Sequence, residues 1–233
     1  SKKFDMRGKI YLTFDIDWAS DEIINEITEV LINKEIKSTW FITHKSSALE
    51  IFRERDDLFS LGIHPNFMKG STQGNSEEEI LKNLMNIVPE ARVIRTHGIF
   101  QYGSLLSKIV DVTSIKIDSS IFLPEMENID MIEHHTPQGI LKRIPIFWAD
   151  DHELLKQNKG FNLSKYISQN GLKVFLFHPI HIYLNSSNIK DYNSYKKNGT
   201  LSRSNDIVGV GTFFYTLINY IKLNNIKTNF LTD

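Results

Sequence analysis

The chain has 233 residues, 41% hydrophobic and 24% charged, an ordinary globular composition able to bury one sizeable core. With 27 basic and 28 acidic residues its formal net charge is -1, which excludes a sequence-independent grip on nucleic acid or on an anionic membrane surface. Cysteine is absent, so disulfides and zinc–thiolate sites are excluded and any metal must be held by His, Asp or Glu. No apolar run is long enough to span a bilayer, and Ser1 to Met6 lack the apolar stretch of a secretory signal. The expectation is a soluble cytoplasmic protein with no membrane insertion.

In chain order, residues 9–16 form an apolar, β-branched and aromatic run that predicts a buried strand. It ends in Asp15 and Asp17, which as i and i+2 should leave the strand on one face. Two buried like charges are costly unless a metal ion or a buried arginine accompanies them. Capping of the next helix is the plainer use for them, although Asp21 is already placed for that. Apolar residues at Ile23, Ile24, Ile27, Val30 and Leu31 predict a helix over 21–33. A strand over 37–43, a helix over 46–55 and a strand over 58–64, ending in Gly62-Ile-His-Pro65, follow. After a Gly- and Asn-rich loop at 65–75, Ser76 and Glu79 form a capping box for a helix reaching about residue 88.

Strands are expected at 92–96 and 114–118, on either side of a helix over 103–110. Pro124, Pro137, Gly139 and Pro145 punctuate the middle, where two short strands are expected near 129–133 and 140–146. A helix over 161–169 precedes an apolar strand over 172–177 that stops at His178-Pro179. The polar, aperiodic stretch 185–205 reads as a long loop or lid. A helix over 211–223 and a strand over 227–231 complete the chain. Apolar strands alternating with helices imply parallel strands covered by helices. About seven such units within a single domain, residues 1–233, favour a deformed or incomplete (β/α) barrel.

In such folds sites form at the C-terminal ends of strands. The first strand ends at Asp15 and Asp17, the third at His64, and the next at Arg95-Thr-His97. The strand over 172–177 ends at His178, with His181 just beyond, and 143–152 ends in Trp148, Asp150, Asp151 and His152. Ionisable and metal-binding side chains thus recur along one rim.

These residues carry a resemblance. The chain is similar to the polysaccharide deacetylases of the NodB-homology group, within the family-four carbohydrate esterases. Thr13-Phe-Asp-Ile-Asp17 resembles that group's Thr-Phe-Asp-Asp-Gly motif, and Ser38-Thr-Trp-Phe-Ile-Thr43 its second strand. Leu61-Gly-Ile-His64 resembles the approach to its metal-binding motif, Arg95 the arginine of its third motif, and Val174-Phe-Leu-Phe-His178 its final strand. The likeness is greater still to a divergent branch found among enzymes of bacterial surface-polysaccharide synthesis of O-antigen type. That branch shares the Gly-Ile-His-Pro-Asn, Arg-(Ser/Thr)-His and Phe-His-Pro-Ile-His-Ile-Tyr-Leu-Asn patterns.

The resemblance implies a hydrolase that removes acetyl from an N-acetylated or O-acetylated sugar, or from a polysaccharide precursor, with a divalent ion, commonly zinc. By match, Asp17 and His64 are ligands, Asp15 is the general base and Arg95 keeps Asp15 ionised and oriented. His178 protonates the leaving amine, its ring oriented by Asp150 or Asp151. Trp148, Asp150, Asp151, His181 and Asn66 are expected to meet the substrate. Two departures stand out. Ile16 separates acids that are adjacent in the family, which leaves open a swap of base and ligand. Met68 occupies the place of the family's second metal-binding histidine. His97 is the proposed replacement, ahead of Asn66, His178 and His181. A barrel amidase or phosphoesterase, and a non-catalytic carbohydrate-binding relic, are the alternatives.

Overall fold

The computed structural model describes residues 9–199 and 206–233. Residues 200–205, the end of the expected 185–205 loop, and the segment 1–6 lie outside the described residues.

β1 (Ile10–Asp15) is buried along its whole length. It lies between β2 (Ser38–Ile42) and β9 (Lys173–Phe177), parallel to both. Beyond β2 follow β3 (Phe59–Ile63), β4 (Val93–Ile94) and β5 (Ile117–Asp118), all parallel. β7 (Gly139–Arg143) pairs parallel with β5 and antiparallel with β6 (Ile132–Thr136). β8 (Trp148–Ala149) pairs with β9 at the far end, so the sheet runs β6-β7-β5-β4-β3-β2-β1-β9-β8.

β7 and β8 are nearly at opposite ends of that order, yet only residues 144–147 separate them in the chain. The sheet must therefore curl until its ends approach. The 144–147 run also pairs with the segment after β5, where Ile146 N–H donates to Ile121 O at 2.7 Å and Leu123 N–H to Ile146 O at 3.0 Å. The architecture is the expected deformed barrel, as a curled mixed sheet. It departs from all-parallel at the β6–β7 hairpin, where Pro137 and Gln138 make a two-residue turn that returns the chain antiparallel.

Alternation along the strands divides the core in two. Leu12, Phe14 and Ile16 face the helices, and Phe14 stacks on Trp40 at 4.3 Å and meets Phe177 and Phe214 at 5.9 Å each. Tyr11 faces the barrel interior with Phe41, Val93, Ile146, Val174 and Leu231. Gly62 lies where the strands press together: a Cβ there would meet Val93 O at 2.7 Å and Phe41 Cδ1 at 2.8 Å, so no larger residue fits.

The outer layer contains α1 (Asp21–Asn33), α2 (Ala48–Glu54), α3 (Glu77–Ile87), α4 (Gly103–Val112) and α9 (Val210–Leu223). Ser20 caps α1, accepting from Ile23 N–H at 3.4 Å, while Asp21 instead accepts from the Ser46 and Ser47 hydroxyls at 2.5 and 2.7 Å and ties α1 to α2. Ser76 caps α3 by accepting from Glu79 N–H at 3.2 Å, and Glu79 reaches back to Asn75 N–H at 2.9 Å. α6 (Ser164–Ile167) is shorter than the 161–169 helix expected. Two further short helices, α5 (Asp150–Leu155) and α7 (Pro179–Leu184), begin directly at strand ends.

Two expectations are corrected. The stretch 185–205 contains a helix, α8 (Ile189–Asn198), held by Tyr192 and Tyr195 rather than by an apolar stripe. The segment 227–231 forms no strand: one bridge joins Ile10 to Thr228, Asn229 N–H donates to Ile10 O at 2.9 Å, and the chain then turns inward so that Leu231 plugs the barrel. No helix among the described residues is long and apolar enough to cross a membrane.

Phe14 joins β1, β2, β9 and α9 in one aromatic cluster. Phe14→Ala should lower the unfolding free energy by about 3–5 kcal/mol, measured by urea denaturation at constant m-value.

Candidate active site

β1 extends Asp15 into the barrel mouth and then breaks. Ile16 dips into the core and Ala19 N–H donates to Ile16 O at 3.2 Å, closing a turn that lifts Asp17 above Asp15 on the same side. The i, i+2 expectation holds without a bulge. His64 follows β3, Arg95 follows β4, His97 opens the 3₁₀ turn His97–Ile99, His178 follows β9 and Asp150 follows β8. Five separate strand ends thus deliver ionisable groups to one mouth.

Arg95, 1% exposed, anchors this mouth. Its Nη1 donates to Asp15 Oδ1 at 3.0 Å and to Thr13 Oγ1 at 2.9 Å. Its Nε donates to Ser119 O and its Nη2 to Ser119 Oγ, both at 3.0 Å. The guanidinium lies 4.4 Å over the Phe41 ring. Thr13 in turn donates to Phe175 O at 2.8 Å. Arg95 is therefore held on every side and Asp15 has a permanent counter-charge.

His64 Nδ1 lies 2.6 Å from Arg95 O; a carbonyl only accepts, so Nδ1 carries the hydrogen. The lone-pair nitrogen Nε2 then faces Asp17 Oδ2 at 2.9 Å and Asp15 Oδ2 at 3.7 Å. His97 Nδ1 is 3.5 Å from the same Asp17 oxygen. Acceptors facing acceptors require a cation between them, either a second proton on His64 or a metal. Burial pushes His64 down, but the Asp15 and Asp17 charges more than offset it and raise the ring above its ordinary range. Burial works against the Asp17 carboxylate too, yet His64, His97 and His178 hold it well below the usual carboxylate range.

Asp17, His64 and His97 offer donor atoms within 4.8 Å of one another, as do Asp150, His178 and His181, and Asp15, Asp17 and His178. Only the first set fits a resident divalent ion. In the second, Asp150 accepts from His178 N–H at 2.6 Å and lies 2.7 Å from His178 Nδ1, which must carry the hydrogen, so both carboxylate oxygens are already engaged. In the third, Arg95 already neutralises Asp15. One carboxylate and two imidazoles suit zinc and leave coordination positions open.

His178 presents its other nitrogen, Nε2, toward Asp15 Oδ2 at 3.9 Å. Burial lowers its affinity for a proton, but Asp150, fully buried beside it, dominates with help from Asp151 and Asp15, and the ring's pKa lies well above its ordinary value. A cavity of about 370 Å³ opens over these groups. Its opposite wall is apolar: Phe122, Ile146, Leu155 and Leu176.

A family model described as WbmS-like polysaccharide deacetylase matches residues 12–196. The chain belongs to that family. Among solved structures it is similar to a Bordetella bronchiseptica protein described as a candidate polysaccharide deacetylase involved in O-antigen biosynthesis. That match has a TM-score of 0.80 and 29% identity, over 92% of this chain and 91% of that one. A family-four carbohydrate esterase pseudoenzyme from Bacillus anthracis matches with a TM-score of 0.51 and 14% identity, over 97% of this chain and 64% of that one. A 4-alpha-glucanotransferase from Thermococcus litoralis matches with a TM-score of 0.55 and 10% identity, over 96% and 37%. The last two are likenesses of fold. No curated protein matches.

Asp15, Asp17, His64, Arg95, His97, Asp151 and His178 all line the cavity of this WbmS-like family member, as does His152, which carried no motif. Four residues expected to meet the substrate do not line it. Trp148 is 1% exposed and stacks on Phe213 at 4.5 Å; alternation in β8 turns it toward the helices and leaves Ala149 facing the cavity. Asp150 is fully buried behind His178 and serves as its orienting acid. Asn66 accepts from Met68 N–H at 3.0 Å and shapes the 65–75 loop. His181 is buried, 3.2 Å from Ser186 Oγ and 4.7 Å from the Tyr192 ring; burial pushes it down to about 4, so it is neutral at pH 7. Met68 lies on the outer side of the His97 turn, its methyl 2.9 Å from where a Gly98 Cβ would stand. The apolar wall was missed because Phe122 and Ile146 come from irregular segments, and an unbroken apolar run such as β9 does not reveal which face Leu176 presents.

The His178–Asp150 pair has a calculable pH window. The raised imidazole contributes stability fully below its ordinary 6.5 and loses it as pH climbs through the raised value. The lowered carboxylate contributes fully above its ordinary 3.8 and loses it as pH falls through the depressed value. Both contributions are complete between those limits. In Asp150→Asn, the His178 pKa followed by NMR should drop toward or below its ordinary value, because burial then acts without its main counter-charge.

Proposed function

We propose that this protein is a metal-dependent deacetylase acting on an N-acetylated sugar of a surface polysaccharide or its precursor. The observation that carries this reading is the arrangement of Asp17, His64 and His97 about one point, with Asp15 and the Asp150-tethered His178 facing it across the same cavity. The O-antigen role described for the Bordetella protein supports the choice of substrate class.

Asp17, His64 and His97 would hold the divalent ion, zinc by their donor chemistry. Once bound, it supplies Lewis acidity that lowers the pKa of a water and polarises an acyl oxygen. Asp15, paired with Arg95 through Oδ1, takes the proton of the attacking water through its Oδ2, the oxygen Arg95 leaves free. His178, protonated at neutral pH, donates from Nε2 to the departing amine nitrogen, while Asp150 fixes the ring and stabilises its charge. The Phe122, Ile146, Leu155 and Leu176 wall gives the acetyl methyl an apolar seat and excludes water.

The departure at Met68 favours a second reading, in which the barrel binds an acetylated sugar without turning it over. Acetate release from N-acetylglucosamine oligosaccharides by the zinc-supplemented protein separates the two. Asp15→Asn and His178→Ala should each lower the rate by about 10²–10⁴-fold with an unchanged circular dichroism spectrum. Unchanged rates in both variants defeat the catalytic reading. His97→Ala should weaken zinc binding, measured by chelator competition, by at least about tenfold; wild-type affinity in that variant removes His97 from the ligand set.

A further inference from the structure

Trp18 sits where a large side chain is least expected. It is the third residue of the turn closed by Ala19 N–H and Ile16 O, with φ at 61°, a left-handed position that favours Gly or Asn. A bulky residue there strains the backbone, and such strain collects at binding sites. The indole gains no core contacts in return: it is 61% exposed, whereas Trp40 and Trp148 are buried.

Trp18 directly follows Asp17 and stands just outside the residues that line the cavity. Across from it, α8 brings Lys196, whose Nζ lies 5.5 Å from the Trp18 ring centroid and 4.7 Å from that of Tyr192. Tyr192 packs on His181 and so fixes α8 to the rim. The contacts described for the Lys196 ammonium are with aromatic faces, which leaves its charge available. Arg95, by contrast, is buried and committed to Asp15. An ammonium beside a stacking ring can donate to the hydroxyls of a neutral sugar, but it gains a stronger, charge-assisted bond from an acidic one.

We propose that Trp18 and Lys196 form a subsite for a negatively charged sugar residue. The indole takes the pyranose face, and the ammonium pairs with a carboxylate or phosphate carried by the sugar. The inference rests on the deacetylase reading for its substrate family, and its test is independent of turnover.

Because Trp40 and Trp148 are buried, acrylamide quenching of tryptophan emission reports chiefly on Trp18. Three probes are compared at low salt: an N-acetylated hexosaminuronic acid, UDP-N-acetylglucosamine, and the neutral methyl glycoside of N-acetylglucosamine. One or both charged probes should shield Trp18 at about fivefold lower concentration than the neutral one. Which of them does so distinguishes carboxylate from phosphate. Lys196→Glu should abolish that preference. Trp18→Gly should lose sugar binding by calorimetry with a melting temperature no lower than wild type, since glycine suits the turn.

Equal shielding by all three probes, shielding by none, or a preference that survives Lys196→Glu overturns the subsite. Acetate release is followed in parallel. Charge preference without acetate leaves the subsite standing and removes the deacetylase reading, whereas acetate without charge preference does the reverse.

Discussion

The ion pair between Arg95 and Asp15 is the constraint from which the rest of the site follows. Both side chains are inside the barrel, 1% and 4% exposed. Removing one partner of such a pair leaves a buried charge uncompensated, at a cost of about 3–5 kcal/mol. The pair does not stand alone. Arg95 reaches from the end of β4 to β1 through Asp15 and Thr13, and to the end of β5 through Ser119, so three strand ends are gathered by one guanidinium. Its backbone carbonyl accepts from His64 and thereby sets which imidazole nitrogen faces the mouth. One residue governs both a carboxylate and an imidazole.

Charge is then divided in a definite way. Arg95 neutralises Asp15 and His178 neutralises Asp150, while Asp17 faces two imidazoles, His64 and His97. That separation explains why three overlapping groups of possible ligands reduce to one. It also explains how a mouth with several acids can persist at a barrel rim: each acid has its own positive partner or awaits one.

Much of this was legible in the chain. β1, β2, β3 and β9 are short runs dominated by apolar, aromatic and β-branched residues, and those of β1, β3 and β9 stop at an Asp or His that marks the strand end. The rim rule therefore located Asp15, Asp17, His64, Arg95 and His178 together. It could not say which way a side chain faces. Trp148 stands at the end of β8 but one step out of phase with the cavity, and His181 lies one turn into α7, where it faces the core. The short helices α5 and α7 escaped because six residues show no period. α8 escaped because its surface is polar, and two tyrosines rather than a hydrophobic stripe bind it to the barrel. The segment 227–231 has strand composition, but its inward turn to Leu231 leaves it a single bridge.

The stretch from β7 to β8 joins the two ends of the curled sheet, and Asp150 is the next residue after it. The seam of the barrel and the support of His178 are thus one piece of chain. Loosening at the seam would release His178 first, while the carboxylate and imidazoles on the opposite arc kept their places. On the proposed mechanism such a molecule would still capture an ion and a sugar, yet fall silent as a catalyst.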